Sequence, residues 1–474
     1  MTFYIRKNAI YREMKMSNKY FCKTTLVWLL ILCLGLGIMG CGPSEDPQGN
    51  SDKTTQADVV ETTSSDCHDI QDYASMVKLN MASATIKQEV TVKTFIDGDT
   101  THFFVPESVN ETGVLKARYL AVNTPEITGK IEEYGKKAAD FTRERLSGAY
   151  SILIESDNGA WNKDSTGDRY LVWVWYKESA NSPYRNLNIE LLENGLAIAN
   201  SSANNRYGDY CMTAISSAKE DKLNVYSGQK DPDFYYGDAI ELTLKELRSN
   251  LEFYNGKKVA FNGVITINNA NAVYAEQYDA ETDMYFGMSV YYGYGLSGKG
   301  LDILRVGNEA RIVGTVQYYE AGGTWQVSGL NYRTMKPKDP GNIQLVSEGH
   351  APAYTLIDAE TFLRGKVTVR GEETESVFDF APMAVGTSVE IKNLFVESVY
   401  TTLDEDSSSY GAMTLTCKAG NDILQVRTTV LMENGERITE EKYLGKMIDV
   451  KGIVDYYEGA HQIKVFMPNQ ILIH

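Results

Sequence analysis

Two segments in the C-terminal half of the chain repeat the same strand pattern. Residues 307–320, GNEARIVGTVQYYE, match residues 445–458, GKMIDVKGIVDYYE. In both copies apolar residues recur at every second position, which is the spacing of a half-buried strand rather than of a helix. A glycine stands in mid-strand in each copy, Gly314 and Gly452, and this placement predicts a bulge or a sharp bend. The repeat therefore predicts two β units of the same design.

The two copies lie in two predicted small β-barrels that resemble OB-folds: barrel 1, residues 229–345, and barrel 2, residues 346–474. A chance likeness between two unrelated strands is the alternative. OB-folds bind single-stranded nucleic acid through aromatic side chains in a basic groove. Residues 229–474 are rich in tyrosine, but they hold 22 basic and 34 acidic side chains, a net charge of −12. Nucleic-acid binding by the barrels and a role as spacers for another domain both remain open.

Length and composition restrict the class of the protein. A chain of 474 residues suggests about three domains. A hydrophobic content of 43% with 23% charged residues is typical of globular domains and excludes collagen-like, coiled-coil and polytopic membrane proteins. The net charge of −17 argues against tight nucleic-acid binding driven by the charge of the whole chain, and it leaves room for a local site.

The N-terminus carries the pattern of a secretory signal. Basic residues between Arg6 and Lys23 precede an uncharged apolar run at residues 24–40, which is the order found in signal peptides. The run ends in IMGC at residues 38–41 and resembles a bacterial lipoprotein signal, in which the cysteine is lipidated. We therefore predict a signal peptide at residues 1–40 and a lipid anchor on Cys41 that holds the protein at the cell surface, on the outer face of the cell membrane. An uncleaved signal anchor is the alternative.

Residues 41–83 are predicted to form a flexible tether, because most of the segment is polar and rich in Ser, Thr and Asp. Besides Cys41, the mature chain keeps Cys67, Cys211 and Cys417. A Cys67–Cys211 disulfide and three isolated thiols are both compatible with this spacing. No pair of histidines has zinc spacing, and no Ser/His/Asp order is suggested.

The segment between the tether and the barrels mixes strand and helix patterns. Strand patterns come first, at residues 90–95, 102–105, 116–122, 152–155 and 170–176. Helical patterns lie at residues 134–141, 188–194 and 207–218, and Gly195 follows the second as a C′ glycine. This order indicates an α+β domain with a barrel and helices.

Three short motifs in this segment carry groups suited to phosphate chemistry. They are IDGDT at residues 96–100, ARYLAVNTPE at residues 117–126 and DSTGDRYL at residues 164–171. Taken singly, the first is typical of a β-turn before a strand, and the second of a turn that starts a helix. Taken in this order and spacing, they resemble the staphylococcal nuclease (thermonuclease) family.

The resemblance extends over residues 84–228. The segments NIELLENGLA at residues 188–197 and AKEDKLNVY at residues 218–226 also look like those of the family. It implies an OB-type five-stranded barrel with three helices, so the whole chain is expected to be mainly β with an α+β part. It also implies a Ca²⁺-dependent hydrolase that cleaves phosphodiester bonds of DNA or RNA, an endonuclease of the thermonuclease type.

The resemblance assigns roles to six residues. The implied metal ligands are Asp99, Asn123 and the backbone carbonyl of Thr124, and Ca²⁺ prefers such oxygen donors. The implied catalytic residues are Glu126, which orients or deprotonates the attacking water, and Arg118 and Arg169, which hold the phosphate. Surface ion pairs around a turn are the alternative explanation for these residues.

Two departures from the family pattern affect the site. Asn123 stands where the family has a second metal-binding Asp, so one negative charge is missing and weaker Ca²⁺ binding is expected. The turn before Arg169 is one residue longer than usual, which predicts a local bulge and leaves the effect of its neighbour Asp168 undecided.

A third departure concerns the terminal phosphate of the substrate. The family places a Tyr after the GLA segment, and this chain has Asn200 and Ser201 there. The contact is therefore lost or supplied by Tyr207.

A surface lipoprotein nuclease is the leading prediction. The main alternative is a non-catalytic lipoprotein that keeps the nuclease fold to bind nucleic acid or another ligand, and Asn123 is the residue that supports it. An interaction or adhesion protein built on the barrels is a third interpretation.

Overall fold

The computed structural model describes residues 71–293, 295–320, 322–370, 375–403, 407, 409–457 and 459–474. The predicted signal peptide at residues 1–40, the predicted lipidation site Cys41 and Cys67 lie outside the described residues. Over the part of the chain that is described, no helix has the length and apolar character needed to cross a membrane.

The N-terminal domain, residues 71–228, contains the predicted strands and helices, but they alternate along the chain, because the helix at Gly135–Ser147 precedes the strands at Ser151–Glu155 and Tyr170–Lys177. Its strands are β1 (Lys87–Phe95), β2 (Thr100–Phe104), β3 (Val114–Tyr119), β4 (Ala121–Asn123), β5 (Ser151–Glu155), β6 (Tyr170–Lys177), β7 (Arg185–Asn186) and β8 (Ile198–Asn200). Its α-helices are α1 (Tyr73–Met76), α2 (Gly135–Ser147), α3 (Leu187–Glu193) and α4 (Gly208–Glu220). The last three coincide with the predicted helices.

Five strands of this domain close into a barrel. β1 pairs with β2 and β5, β2 with β3, and β5 with β6, all antiparallel, and a parallel pairing of β3 with β6 completes the ring. The register of β1 shifts between Val92 and Thr94, and such a bulge bends a strand and increases its twist. Trp173 and Trp175 of β6 are fully buried in the core. The predicted barrel with three helices is confirmed.

Packing of the N-terminal domain begins upstream of the predicted boundary at residue 84. Ala74 and Val77 are buried, and the Ala74 N–H donates a hydrogen bond of 3.0 Å to the carboxylate of Glu193 at the end of α3. Asp72 accepts hydrogen bonds from the guanidinium of Arg185. Residues 72–77 therefore belong to the folded domain and not to a flexible tether.

Barrel 1 has longer strands and short helices. Its strands are β9 (Ile240–Glu241), β10 (Lys258–Asn269), β11 (Ala272–Asp279), β12 (Met284–Tyr291), β13 (Glu309–Tyr319), β14 (Thr324–Ser328) and β15 (Gln344–Ser347). Its helices are α5 (Leu244–Ser249), α6 (Leu251–Tyr254) and α7 (Lys299–Ile303). The side chain of Thr243 and that of Glu246 form a capping box at the start of α5, which satisfies two backbone N–H groups of the first turn.

Barrel 2 repeats this arrangement. Its strands are β16 (Thr355–Leu356), β17 (Lys366–Arg370), β18 (Glu375–Asp379), β19 (Ser388–Thr401), β20 (Met413–Ala419), β21 (Asp422–Thr428), β22 (Met432–Glu433), β23 (Glu436–Arg437), β24 (Met447–Tyr457), β25 (Ala460–Val465) and β26 (Ile471–Ile473). Its α-helices are α8 (Ala359–Arg364) and α9 (Phe380–Ala384).

All three barrels share one topology. In each, the first barrel strand in chain order pairs with the second and the fourth, the second with the third, and the fourth with the fifth. The third and fifth strands pair in parallel and close the ring. The predicted OB-like barrels are therefore confirmed, and the repeated motif occupies the fourth strand, β13 in barrel 1 and β24 in barrel 2.

The mid-strand glycines of the repeat do not form bulges. β13 keeps an unbroken register with β10 on both sides of Gly314 and pairs with β14 from Thr315 onward. Gly452 of β24 stays in register with Val389 of β19. A Cβ on Gly314 would lie 2.6 Å from the Ser328 carbonyl oxygen, and one on Gly452 would lie 2.6 Å from that of Lys464. The prediction of a bulge was wrong, because glycine serves here to let a neighbouring strand approach closely.

Buried apolar side chains form one core in the N-terminal domain and another that continues through both barrels. Cys211 lies in the first core and Cys417 in the second, and both are free thiols. The Cys67–Cys211 disulfide that the spacing allowed involves Cys67, which lies outside the described residues.

Candidate active site

The turn between β1 and β2 places Asp99 inside the N-terminal domain. Asp99 has no exposed surface, and its carboxylate accepts hydrogen bonds from the Thr100 hydroxyl at 3.0 Å and the Thr124 N–H at 2.9 Å. Gly98 permits this turn, because a Cβ there would lie 2.8 Å from the Thr124 side chain and 2.9 Å from that of Ala138. The turn is thus packed directly against α2 and the segment that carries Thr124.

The guanidinium of Arg118 joins two of the predicted metal ligands. Arg118 lies on β3 and is 9% exposed. Its Nη1 donates to the Asp99 carboxylate, and its Nη2 donates to Asn123 Oδ1 at 2.6 Å. Because one planar group reaches both oxygens, Asp99 and Asn123 face the same point. The Arg118 guanidinium therefore pairs with the buried Asp99 carboxylate.

Burial controls the charge state of Asp99. Desolvation, and after it the neighbouring Asp97 carboxylate, raise the pKa of Asp99 to about 8, while Arg118 and the Thr124 N–H act in the opposite direction. The backbone N–H of Asp99 donates to Asp97 Oδ1 at 3.1 Å. The two aspartates of the DGDT motif therefore have different surroundings, with Asp97 supporting the turn and Asp99 facing Arg118.

Glu126 lies at the start of the loop that leads to α2. Its side chain is half-buried, and desolvation is the largest cause that raises its pKa, followed by Asp97, whereas Arg118 and Arg169 oppose the rise. The Glu126 N–H donates to the Glu132 carboxylate at 3.1 Å, and the Glu132 N–H donates back to the Glu126 carbonyl at 2.9 Å. The loop is thus closed on itself immediately after Glu126.

Asp164 stabilises the longer turn before Arg169. Asp164 accepts from the Thr166 hydroxyl at 2.6 Å and from Arg169 Nε at 2.8 Å, and Gly167 takes a φ of +76°. Asp168 turns away and pairs with Lys116 at 2.8 Å on the surface. The extra residue therefore leaves Arg169 held by Asp164 on the side of the domain where Glu126 lies.

Tyr207 cannot replace the missing tyrosine contact. It is buried against Trp173 and Trp175 with ring centroids 5.0 and 5.6 Å away, and its hydroxyl donates to Glu155 at 2.9 Å. Asn200 is exposed on β8, which pairs with β4 beside the site. Of the two alternatives, loss of the contact or its supply by Tyr207, the structure favours loss, because Tyr207 is packed onto β6.

Comparison with protein families agrees with this geometry. Residues 116–228 match the family model described as staphylococcal nuclease homologue. The chain contains a staphylococcal nuclease-family domain. No curated protein matches the chain. The matched range covers Arg118, Asn123, Thr124, Glu126 and Arg169. Asp99 lies upstream of it, and the hydrogen bonds from Arg118 and Thr124 attach Asp99 to the nuclease domain's site.

The oxygen ligands at this site are of the type that a hard cation prefers, but only one of the two side chains, Asp99, is a carboxylate. Two side-chain oxygens, from Asp99 and Asn123, converge on the guanidinium of Arg118, and carboxylate and amide oxygens are ligands that Ca²⁺ accepts. Within the described ranges, no group of three or more His, Cys, Asp or Glu side chains is arranged to hold a metal ion. A cation at this point must therefore displace Arg118 from both oxygens.

The sequence analysis assigned no role to three residues that support the side chains of the site. Thr100 binds Asp99, Asp164 binds Arg169, and Glu132 binds the backbone of Glu126. The D-S-T-G order at residues 164–167 is a signal for a turn in which Asp caps the backbone, so Asp164 was detectable. Glu132 carries no such local signal, because its role depends on how the loop folds back.

Proposed function

We propose that this chain is a Ca²⁺-dependent nuclease that hydrolyses phosphodiester bonds of DNA or RNA. The observation that supports it most directly is the joining of buried Asp99, Arg118 and Thr124, with half-buried Glu126 beside them, in a domain of the nuclease family. This combination of cationic and carboxylate groups on one face suits attack by water on a phosphate anion.

The residues divide the chemistry between them. Attack on a phosphodiester builds negative charge on the phosphate oxygens, and Arg118 and Arg169 offer planar guanidinium groups that bind such oxygens with two hydrogen bonds. Glu126 accepts a proton from the attacking water. Its raised pKa makes it a stronger base than an exposed glutamate.

Asp99, Asn123 and the Thr124 carbonyl would hold the cation, which supplies further neutralisation of the developing charge. Arg118 donates hydrogen bonds to both side-chain ligands, so it must leave them to be available to phosphate.

The test is hydrolysis by the full chain of single- and double-stranded DNA and of RNA, with Ca²⁺ and with a chelator. We expect Glu126→Gln to lower kcat by ~10²–10⁴ and to leave KM nearly unchanged, because the group acts on water. Glu220→Gln, the same change at an exposed position at the end of α4, is the matched control. Equal rates for the two variants would exclude Glu126 as the base.

A non-catalytic binding lipoprotein is the second candidate. Asn123 in place of a carboxylate, together with the bridging Arg118, favours it, because the Arg118 guanidinium already pairs with the buried Asp99 carboxylate. Asn123→Asp adds a charge to the ligand set, so it should tighten Ca²⁺ binding measured by calorimetry. If the unaltered chain binds nucleic acid without hydrolysing it at any Ca²⁺ concentration, the second candidate replaces the first.

We also propose that the nuclease is anchored through lipid on Cys41 at the outer face of the cell membrane. The support is the apolar run that ends in IMGC at residues 38–41. Labelled palmitate should enter the parent chain and not the Cys41→Ser variant, which should be released or remain unprocessed. Equal labelling of both chains would exclude this anchor.

A further inference from the structure

The loop that follows Glu126 is held by residues that lie outside the nuclease domain. This loop, residues 127–134, connects Glu126 to α2. At its start, the Nε2 of Gln317 on β13 of barrel 1 donates a hydrogen bond to the carbonyl oxygen of Ile127. Ser328 on the neighbouring strand β14 donates its hydroxyl to Gln317 Oε1. Gln317 is therefore oriented by barrel 1, with its amide nitrogen directed at the backbone next to Glu126.

The end of the loop is held at the junction of the nuclease domain and barrel 1. The Tyr134 N–H donates to Asp231 Oδ2 at 2.7 Å, and Asp231 is buried. The Tyr134 hydroxyl lies 3.0 Å from that of Ser227. Tyr134 takes a φ of +64°, a conformation that costs a non-glycine residue free energy and so needs support from its surroundings. Asp231 provides that support to the backbone.

The middle of the loop lies against barrel 1. Gly129 takes a φ of +72°, and a Cβ on it would lie 3.8 Å from the ring of Tyr291. A Cβ on Gly329 would lie 3.3 Å from the Gly129 carbonyl. The loop therefore contacts barrel 1 closely at Gly129.

We propose that Gln317 is a positioning residue for Glu126, and that barrel 1 thereby completes the active site of the nuclease domain. The proposal rests on the proposed function. Ile127 is the next residue after Glu126, so its carbonyl and the Glu126 side chain move together. Displacement of a catalytic group by about 1 Å is enough to reduce the rate ~10²-fold. The hydrogen bond from Gln317 restricts that displacement.

The experiment compares three variants of the full chain. Gln317→Ala removes the side chain. Gln317→Glu keeps its size and its acceptor for Ser328 but has no N–H for the Ile127 carbonyl. Gln326→Ala is the matched control, because Gln326 lies directly opposite Gln317 on β14. Thermal melting establishes that each variant is folded.

Two measurements are made on each variant. Hydrogen exchange reports on the loop directly, since the Glu132 N–H is bonded to the Glu126 carbonyl. We expect both Gln317 variants to exchange at residues 127–133 about tenfold faster than the parent. Steady-state hydrolysis should show kcat about tenfold to a hundredfold lower with KM within about twofold. Gln326→Ala should resemble the parent in both.

The outcomes separate this inference from the proposed function. If the parent hydrolyses DNA and both Gln317 variants match it in loop exchange or in kcat, Gln317 does not position Glu126 while the nuclease function stands. A higher KM with unchanged kcat would also overturn the inference, because it would assign Gln317 to substrate binding. A parent without activity overturns the nuclease function, and the positioning role with it.

Discussion

Barrels 1 and 2 turn the same strand face toward the domain that precedes them, but the contacts differ in chemistry. Thr315 and Gln317 of β13 face the nuclease domain, and Gln317 bonds to it. The matching residues of β24 are Ile453 and Asp455, and Ile453 packs against Ile267 of barrel 1. On this strand face, a polar contact therefore joins barrel 1 to the nuclease domain and an apolar one joins the two barrels. Elsewhere the barrels also share the buried hydrogen bonds that Glu276 accepts from Ala353 and Ser388.

Both contacts leave a cavity, and the one between the barrels, of about 400 Å³, has Tyr285, Lys366 and Phe380 among its lining residues. The contacts differ in whether the two cores join. A cavity of about 350 Å³ lies between the nuclease domain and barrel 1, with Ile127, Arg143 and Tyr319 among its lining residues. Between the barrels, a Cβ on Gly287 would lie 2.3 Å from the backbone of Gly386, and one apolar core continues through both. An apolar contact favours one cooperative unit, whereas hydrogen bonds define the position of a loop without fusing two cores.

The largest expected effect comes from breaking the shared core. Phe286 of β12 is fully buried in it, so Phe286→Ala should lower the free energy of unfolding of the barrels by about 3–5 kcal/mol. Calorimetry should show both barrels melting earlier as one transition, and the nuclease domain changing little. Separate melting of barrel 2 at its original temperature would contradict a common core.

The second effect concerns the buried pair of Arg118 and Asp99 in the nuclease domain. Arg118→Lys keeps the positive charge, but one ammonium group does not reproduce the planar fork that joins Asp99 and Asn123. We expect kcat for DNA hydrolysis to fall ~10²-fold. Lys116→Arg on the same strand, in an exposed pair with Asp168, is the control. A loss of less than threefold in Arg118→Lys would show that the fork is dispensable.

A third effect tests a carboxylate that is buried between the barrels. Glu276 accepts from the N–H groups of Ala353 and Ser388, each at 2.8 Å, and burial raises its pKa despite these bonds. The folded state therefore binds the proton more tightly than the unfolded state. This contribution to stability is full below the unfolded pKa and is lost as pH rises through the folded pKa.

Urea unfolding of the barrels between pH 4 and 8 checks this sign. The stability of the parent should fall with rising pH relative to that of the Glu276→Gln variant, in which the position does not titrate. Glu252→Gln on exposed α6 should follow the parent. If the stability of the Glu276→Gln variant and that of the parent change with pH in the same way, Glu276 does not contribute to the pH dependence.

The smallest effect is expected at the ion pair of the polar contact. Arg143 of α2 pairs with Glu320 of barrel 1, and their side chains are 40% and 27% exposed. Pairs of this kind contribute about 0–1 kcal/mol. Arg143→Ala should therefore change the melting temperature slightly and leave kcat within about twofold, in contrast to Gln317→Ala. A large loss of activity would move the positioning role from Gln317 to Arg143.

Much of the fold follows from local patterns. The alternation of apolar residues in the repeat predicted β13 and β24, and the helical spacing predicted α2, α3 and α4, because burial of one face imposes its period on a segment. Of the bulge or sharp bend predicted at Gly314, the bulge is absent. A mid-strand glycine signals either a bulge or a close neighbour, and the register of β10 and β14 alone distinguishes them.

The candidate site was predicted where its members belong to short motifs. Asp99, Arg118, Asn123 and Thr124 were expected together, and they are joined by direct hydrogen bonds. The sequence left open whether Tyr207 supplies the terminal-phosphate contact, because its surroundings are formed by β6, which lies about thirty residues before it in the sequence. A residue's neighbours along the chain do not report which strand covers it.

The sequence by itself determined the kind of domains and the types of chemical group in the site, since both depend on local periodicity and on motif order. Only the tertiary structure decided that Arg118 bridges Asp99 and Asn123, that residues 72–77 join the nuclease domain, and that barrel 1 holds the Glu126 loop. The contact between Gln317 and Ile127 spans 190 residues. Such contacts depend on the packing of whole domains, which no local pattern encodes.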